Sequence, residues 1–255
     1  MMNILTKFLN LTVNRKNHKL SKRLSRMPIE LNAKEKQLIC KIRESNLSMT
    51  SYERLTSTVM ACKYIIDRNI KGDFVECGVW RGGNAILAAS IFRLYKYPYK
   101  VYLFDTFEGM TAPTDKDKFT STGISAISRF RALQKSSHNE WCFASIEEVK
   151  NNFRKFNLLD ENIIFVKGDV MKTLKLKNNL PKAISILRLD TDWYASTKKE
   201  LEVFYPRLNF GGVLLIDDYG FWSGSRDATD EYFLEHGNRP FLQYVDNSGR
   251  TAVKC

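Results

Sequence analysis

The spacing of apolar residues changes near Gly72, and the change divides the chain into two patterns. Before Gly72, segments 31–46 and 51–68 repeat apolar residues at the three- and four-residue intervals of amphipathic helices. After it, short runs of Val, Ile, Leu and Phe end in turn residues and alternate with longer amphipathic stretches. Alternation of this kind is typical of a parallel sheet whose strands are connected by helices and covered on both faces. The pattern therefore predicts an α/β fold that two helices precede.

The predicted elements follow one another without an internal repeat. The strands are predicted at 73–77, 101–105, 163–167, 184–189 and 213–216, and the helices at 84–96, 145–156, 196–207 and 227–236. Two last strands, 241–245 and 251–254, flank the turn sequence at 246–249 and favour an antiparallel hairpin. We therefore predict a mostly parallel seven-stranded sheet with helices on both faces and a C-terminal antiparallel hairpin. Residues 111–140 form one long irregular insertion of the kind that often covers a substrate.

Length and composition suit a folded domain. At 255 residues the chain fits one large α/β domain with an extension. Hydrophobic residues make up 44% of it, which excludes a disordered chain because enough apolar surface is available to offset the chain entropy. We predict a basic N-terminal extension and helix in residues 1–48, and the main domain in residues 49–255.

The positive charge is concentrated at the N-terminus. Seven of the twelve excess positive charges lie in residues 1–26, which contain no Asp or Glu. A nucleic-acid surface would spread its charge over the domain, so nucleic acid is not an expected partner. The segment is either a solvated terminus or a peripheral contact with anionic membrane lipid, since residues 2–13 mix apolar side chains with few charges.

The cysteines and the apolar segments bear on localisation. The five cysteines are widely spaced and form no CxxC pair, which is typical of thiols in a reducing cytoplasm. No window approaches the ~20 apolar residues of a membrane span, and the start of the chain lacks a signal-peptide cleavage site. We expect a cytoplasmic homo-oligomer, with the inner face of the membrane as a further location if residues 1–26 bind lipid.

A glycine-rich turn joins the first predicted strand to the helix that follows it. The sequence ECGVWRGG at residues 76–83 contains Gly78 and Gly82, which permit close backbone approach beside a helix N-terminus that can bind a carboxylate or phosphate. A tight turn with packing glycines is the alternative. The spacing differs from GxGxxG and the acid Glu76 precedes it, which argues against a dinucleotide.

Two further acids follow the second and third predicted strands. Asp105 ends the second strand, where a carboxylate can accept hydrogen bonds from both ribose hydroxyls, and Asp169 is placed to bind an adenine amino group. Ligand sites of open α/β sheets lie at the carboxyl ends of the strands. These acids therefore predict a site for a nucleoside that carries a carboxylate.

Three aspartates follow the fourth and fifth predicted strands. Asp190 comes after the fourth strand, and Asp217 and Asp218 come after the fifth. If these strands are neighbours, the carboxylates converge and repel one another unless a cation is present, and an all-oxygen site suits Mg²⁺ or Mn²⁺. The alternative is that they cap the next helices. Only three histidines and no Cys–His spacing argue against zinc.

The sequence alone does not decide which residue is the general base. Asp190, Asp192 and the insertion residue His138 are the candidates, and we assign the catalytic roles to Asp190 and His138. Aromatic residues follow the acids closely, and Trp193 and Trp222 either pack in the core or stack on a sugar.

At these residues the sequence resembles the macrocin O-methyltransferase family, whose members methylate sugar hydroxyls. The matching stretches are GDFVECGVWRGGN, LFDTFEGM, ASIEEVKNNF, LRLDTDWYAST and GGVLLIDDYGFWSGSRDATDEYF, and the resemblance covers roughly residues 49–233. The resemblance implies a Rossmann-like class I methyltransferase domain and S-adenosylmethionine as cofactor. By the same resemblance, the cofactor site is lined by Glu76, Gly78, Gly82, Gly83, Asp105, Ser145 and Asp169. The resemblance likewise implies that Mg²⁺ is held by Asp190, Asp217 and Asp218.

The implied reaction is methylation of a hydroxyl of a sugar or glycosylated acceptor, whether a polysaccharide, a lipid-linked glycan or a natural product. A non-sugar hydroxyl such as a phenol is an alternative acceptor. A noncatalytic nucleoside-binding domain with the same fold is the alternative from another class. The insertion matches only loosely, so the resemblance transfers neither the identity of the acceptor nor a role for His138.

Overall fold

A computed structural model describes residues 24–25 and 27–255. In chain order its strands are β1 Asp73–Cys77, β2 Val101–Asp105, β3 Ile163–Lys167, β4 Ile184–Leu189, β5 Leu208–Ile216, β6 Gln243–Tyr244 and β7 Arg250–Val253. The first four have the predicted bounds. The fifth begins at Leu208 rather than at residue 213, because the apolar pattern is weak where the strand passes Gly211 and Gly212.

The seven strands form one sheet in the order β3-β2-β1-β4-β5-β7-β6. β1 to β5 are parallel, whereas β7 pairs antiparallel with both β5 and β6. This confirms the predicted Rossmann-like fold with its C-terminal hairpin. The strand order reverses between β1 and β4, and ligands of open α/β sheets bind in the crevice that such a reversal opens.

Eight α-helices accompany the sheet in the described part of the chain. They are α1 Ala33–Glu44, α2 Tyr52–Arg68, α3 Gly83–Leu94, α4 Ile127–Ala132, α5 Ile146–Lys155, α6 Val170–Thr173, α7 Tyr194–Phe204 and α8 Ser223–His236. The six helices that the pattern predicts are present, with ends shifted by a few residues. The short α4 and α6 were not predicted, because neither is long enough to show a helical repeat. The insertion is therefore partly helical.

Hydrophobic clusters cover both faces of the sheet. One face packs residues such as Phe74 and Ile86 against the helices that precede β2, and the other packs Phe104 against Phe204 of α7. The Leu47 carbonyl before α2 packs on Gly83 at the start of α3, so residues before 49 also touch the core of the sheet domain. The division between residues 48 and 49 stays a prediction.

A third cluster holds the insertion on the sheet. Trp141, Trp193 and Trp222 pack edge to face or at steep tilts with ring centroids 5.0–5.8 Å apart. The Trp193 indole N–H donates to the Thr111 carbonyl over 2.9 Å. The tryptophans that follow the acids therefore pack in a core, as one of the two sequence interpretations has it. In residues 24–25 and 27–255 no helix has the length and apolar character needed to cross a membrane.

Candidate active site

A cavity of about 320 Å³ opens at the carboxyl ends of β1, β4 and β5. Predicted residues of both groups line it: Glu76, Gly78, Gly83, Asp105, Asp190, Asp217 and Asp218. A smaller lobe of about 60 Å³ adjoins it and is lined by Asp169 together with Gly78, Asp105 and Asp190. The strand-end acids therefore meet in one cleft, because parallel strands carry their carboxyl ends to the same edge of the sheet.

The turn after β1 is organised by Gly78 and Asp105. Gly78 has φ +83°, and a Cβ there would collide with the Asp190 carbonyl, so the close approach of the two strand ends requires glycine. Asp105 accepts hydrogen bonds from the amides of Val79 at 2.6 Å, Trp80 at 3.2 Å and Phe107 at 2.7 Å. Burial raises the pKa of Asp105, and these amides oppose the rise. The Asp105 carboxylate therefore connects the turn after β1 to the turn after β2 at the wall of the cleft.

Glu76 is a buried acid with one oxygen in use. Its Oε1 accepts a hydrogen bond from Arg188 at 2.8 Å, whereas Oε2 has no hydrogen-bond partner in the described structure. Burial raises the pKa of Glu76 to about 7, although Arg188 opposes the rise. A buried acceptor without a partner costs free energy, so this oxygen suits a donor group of a bound ligand.

Arg188 on β4 connects the cofactor side of the cleft to the predicted metal side. Its Nη1 lies 2.8 Å from Glu76 and 2.6 Å from Asp190 Oδ2, and its Nη2 contacts Asp217. The Arg188 side chain is 3% exposed. We did not predict a role for this residue. An arginine inside an apolar strand does indicate acidic partners nearby, because a buried charge needs them.

A second arginine reaches the same acids from α2. Arg54 contacts Asp217 and lies 3.0 Å from Asp246, which precedes β7. Burial lowers the pKa of Arg54, but Asp217 and Asp246 outweigh that effect and raise it. Both oxygens of Asp217 are therefore engaged by arginines.

Three carboxylates form the tightest acidic group. One oxygen from each of Asp190, Asp192 and Asp218 lies within 4.8 Å of the others, and Asp218 Oδ2 is buried without a hydrogen-bond partner in the described residues. Burial raises the pKa of Asp192 to about 7, and burial together with repulsion from Asp192 raises that of Asp218. Crowded carboxylates and an unused buried oxygen fit a divalent cation.

The closest trio differs from the predicted one in a single member. Asp192 stands where the sequence predicts Asp217, which lies beside the trio in contact with Arg54 and Arg188. Asp192 has a left-handed backbone with φ +67°, which turns the chain just after Asp190. A sequence pattern does not show that turn, and this explains the difference.

Three predicted site residues lie away from the cavity walls. His138 packs against Phe143 with tilted rings whose centroids are 4.3 Å apart, and its Nδ1 lies 3.2 Å from the Ser137 hydroxyl. The Ser145 hydroxyl caps α5 by accepting from Glu148 N. Gly82, with φ +85°, is the N-cap of α3 and lies against Val149 and Phe153 of α5. The structure gives none of the three a direct contact with the cleft.

Comparison with known proteins agrees with this architecture. The family model described as Macrocin-O-methyltransferase (TylF) matches residues 5–252. The chain is 32% identical over 207 residues to demethyldecarbamoylnovobiocin O-methyltransferase of Streptomyces niveus, covering 79% of this chain and 73% of the relative. It is 30% identical, with the same coverage, to the 8-demethyl-8-(2,3-dimethoxy-alpha-L-rhamnosyl)-tetracenomycin-C 4'-O-methyltransferase of Streptomyces olivaceus.

A solved structure gives the same result. The O-methyltransferase NovP superimposes with a TM-score of 0.72 and 30% identity over 82% of both chains. The family match extends over nearly the whole chain. The chain therefore belongs to the macrocin O-methyltransferase family and is an S-adenosylmethionine-dependent O-methyltransferase.

Proposed function

We propose that this enzyme transfers the methyl group of S-adenosylmethionine to a hydroxyl of a glycosylated acceptor with the help of Mg²⁺ or Mn²⁺. The main support is that one cleft contains both Glu76 and Asp105, which suit a nucleoside, and the cluster of aspartates. A sugar acceptor is supported by relatives such as the Streptomyces olivaceus enzyme, whose name specifies a rhamnosyl compound. Polysaccharides, lipid-linked glycans and natural products all carry such hydroxyls.

On the cofactor side, we propose that Asp105 and Asp169 bind the nucleoside and that Glu76 receives a donor from the amino-acid part. Asp105 and Asp169 both line the smaller lobe, and the free oxygen of Glu76 borders the larger cavity. Gly78 and Gly83 line the cavity and keep the wall close to the ligand. Ser145 and Gly82 contribute by shaping the helices beside it, since neither lines the cavity.

On the metal side, we propose Asp190, Asp217 and Asp218 as ligands and Asp192 as the base. Ligating carboxylates are themselves usually held by hydrogen bonds, and Arg188 holds both Asp190 and Asp217. Asp192 forms no salt bridge among the described residues, and burial raises its pKa to about 7, so we assign to it the proton of the acceptor hydroxyl. A bound metal would lower the pKa of that hydroxyl and orient it. His138, which lies outside the cleft, is the weaker candidate.

A phenol-like acceptor is favoured by one feature of the same cavity. Trp141, Phe221 and Trp222 line it, and an aromatic acceptor could pack against them. We propose a cytoplasmic location for either reaction, because the described residues contain no disulfide bond.

Calorimetry and variants test the proposal together. We expect S-adenosylhomocysteine to bind the wild-type enzyme, and methyl transfer to stop in excess chelator. Asp217→Asn should weaken Mn²⁺ binding, whereas Asp192→Asn should keep Mn²⁺ binding but lower the transfer rate by about 100-fold or more, as loss of a general base does. If Asp192→Asn loses Mn²⁺ and Asp217→Asn keeps it, the two roles are exchanged. Full activity in chelator would contradict the metal requirement.

A further inference from the structure

Three arginines line the cavity, and they differ in their partners. Arg188 and Arg54 each contact at least two carboxylates. Arg129, from the insertion, has no ion pair among residues 24–25 and 27–255, and its side chain is exposed at the cavity wall. A guanidinium offers five N–H donors. Among the three arginines, Arg129 is therefore the one whose N–H donors meet no carboxylate of the described residues.

Arg129 is held in place although it lacks an ion pair. It lies on α4, which is anchored from below by fully buried Ala126 and by partly buried Phe130 against the tryptophan cluster. Its guanidinium stacks on the Trp141 ring at 4.3 Å from the centroid. The ring itself is fixed, since it packs on Trp193 and its backbone amide donates to Asn139. A stacked guanidinium keeps its edge available for a planar or tetrahedral anion.

The wall that carries Arg129 also faces the acids. Cys142 lines the same cavity, and burial together with the negative charges of Asp192, Asp190 and Asp218 raises the pKa of its thiol while Arg129 lowers it. The thiol is therefore within electrostatic reach of both the acids and the guanidinium. A ligand that presents a hydroxyl to the carboxylate cluster can reach Arg129 with another group of the same molecule.

We propose that Arg129 binds an anionic group of the acceptor, a phosphate or a carboxylate, so that the substrate is an acidic glycoside. The inference rests on the proposed sugar methylation and specifies its substrate class. Arg129 would act as a specificity residue, because an acceptor without the negative charge leaves the guanidinium without a charged partner. Bidentate guanidinium contacts with phosphate or carboxylate are strong and directional.

Binding of simple sugars tests the proposal. Ligand-observed NMR would compare glucose 1-phosphate, glucuronate and neutral methyl glucoside on the full-length protein saturated with S-adenosylhomocysteine. The titrations are run once with Mg²⁺ and once with EDTA, because phosphate also binds metal ions. We expect at least one anionic sugar to bind about tenfold or more tightly than methyl glucoside in both conditions, as a charge-assisted hydrogen bond provides. Whichever anionic sugar is preferred identifies phosphate or carboxylate as the group.

Two variants make the test specific. Arg129→Met should remove the preference for the anionic sugar, whereas Arg131→Met should retain it, since Arg131 is also an exposed arginine of the same helix but does not line the cavity. Equal binding of neutral and anionic sugars, no binding of either anion, or a preference that survives Arg129→Met overturns the proposal. Absence of S-adenosylhomocysteine binding to the wild type would instead contradict the proposed function.

Discussion

Arg188 shows how a single side chain organises the charges of this cleft. It contacts one carboxylate from each of the strand ends of β1, β4 and β5, namely Glu76, Asp190 and Asp217. Burying these acids without a cation would cost several kcal/mol per charge. Arg188 therefore supplies the positive charge that allows these acids to be buried together in the folded protein.

The two arginines that share Asp217 should differ in their effect on stability. Arg188→Met leaves buried acids without their cation and should lower the free energy of unfolding by about 3–5 kcal/mol, as breaking a buried ion pair does. Arg54→Met should cost less, because Arg54 is 21% exposed and Asp217 keeps Arg188. Urea denaturation of both variants measures the difference, and adding Mn²⁺ should recover part of the loss. Equal losses would show that burial does not govern these contacts.

The first part of the insertion is held by contacts near the N-terminal ends of α7 and α8. Asp117 is fully buried and accepts hydrogen bonds from the Tyr194 amide at 2.8 Å and the Thr114 amide at 2.6 Å. The negative charge at the first turn of α7 is favourable for the helix dipole. Phe119 packs on Trp222 at 4.2 Å, so the insertion also rests on α8. These contacts place Arg129 over the cleft.

Loss of the Asp117 carboxylate should loosen the insertion. Asp117→Ala leaves the part-buried amides of Thr114 and Tyr194 without their charged acceptor, at a cost of about 1–3 kcal/mol each. We expect faster limited proteolysis within residues 111–140 and weaker acceptor binding, with S-adenosylhomocysteine binding retained. Asp115→Ala is the matched control, since Asp115 is exposed two residues earlier. Proteolysis at the same rate in both variants would mean that Asp117 does not hold the insertion.

The molecule as a whole carries its excess positive charge unevenly. Seven of twelve excess charges lie in residues 1–26, and all seven lie outside the described residues. A peripheral membrane contact of this segment stays a prediction, as does the homo-oligomeric state. A basic segment with interspersed apolar residues binds anionic lipid in a salt-dependent way.

Deletion of residues 1–26 tests the membrane contact. The full chain should sediment with liposomes that contain phosphatidylserine, less so in high salt, because screening weakens attraction between basic side chains and anionic headgroups. The shortened chain should bind less, while its affinity for S-adenosylhomocysteine should be unchanged. Unchanged sedimentation of the shortened chain would exclude this segment as the lipid contact.

The apolar pattern alone determined the order, type and most bounds of the strands. Buried parallel strands need continuous apolar residues, and β1 to β4 accordingly begin and end where the pattern does. The acids at or just after the carboxyl ends of β1, β2, β4 and β5 were also identifiable, because a parallel sheet brings such positions to one edge. The family motifs in the sequence further indicated the cofactor and the type of reaction.

Only the tertiary structure decided which charges meet. The contacts of Arg188 with three carboxylates, the separation of His138 from the cleft, and the position of Asp192 in the acidic trio depend on distances between segments far apart in sequence. Strand neighbours, local backbone turns such as φ +67° at Asp192, and packing of the insertion set those distances. Periodicity reports which face of an element is buried, whereas electrostatic contacts depend on side chains that packing places a few ångströms apart.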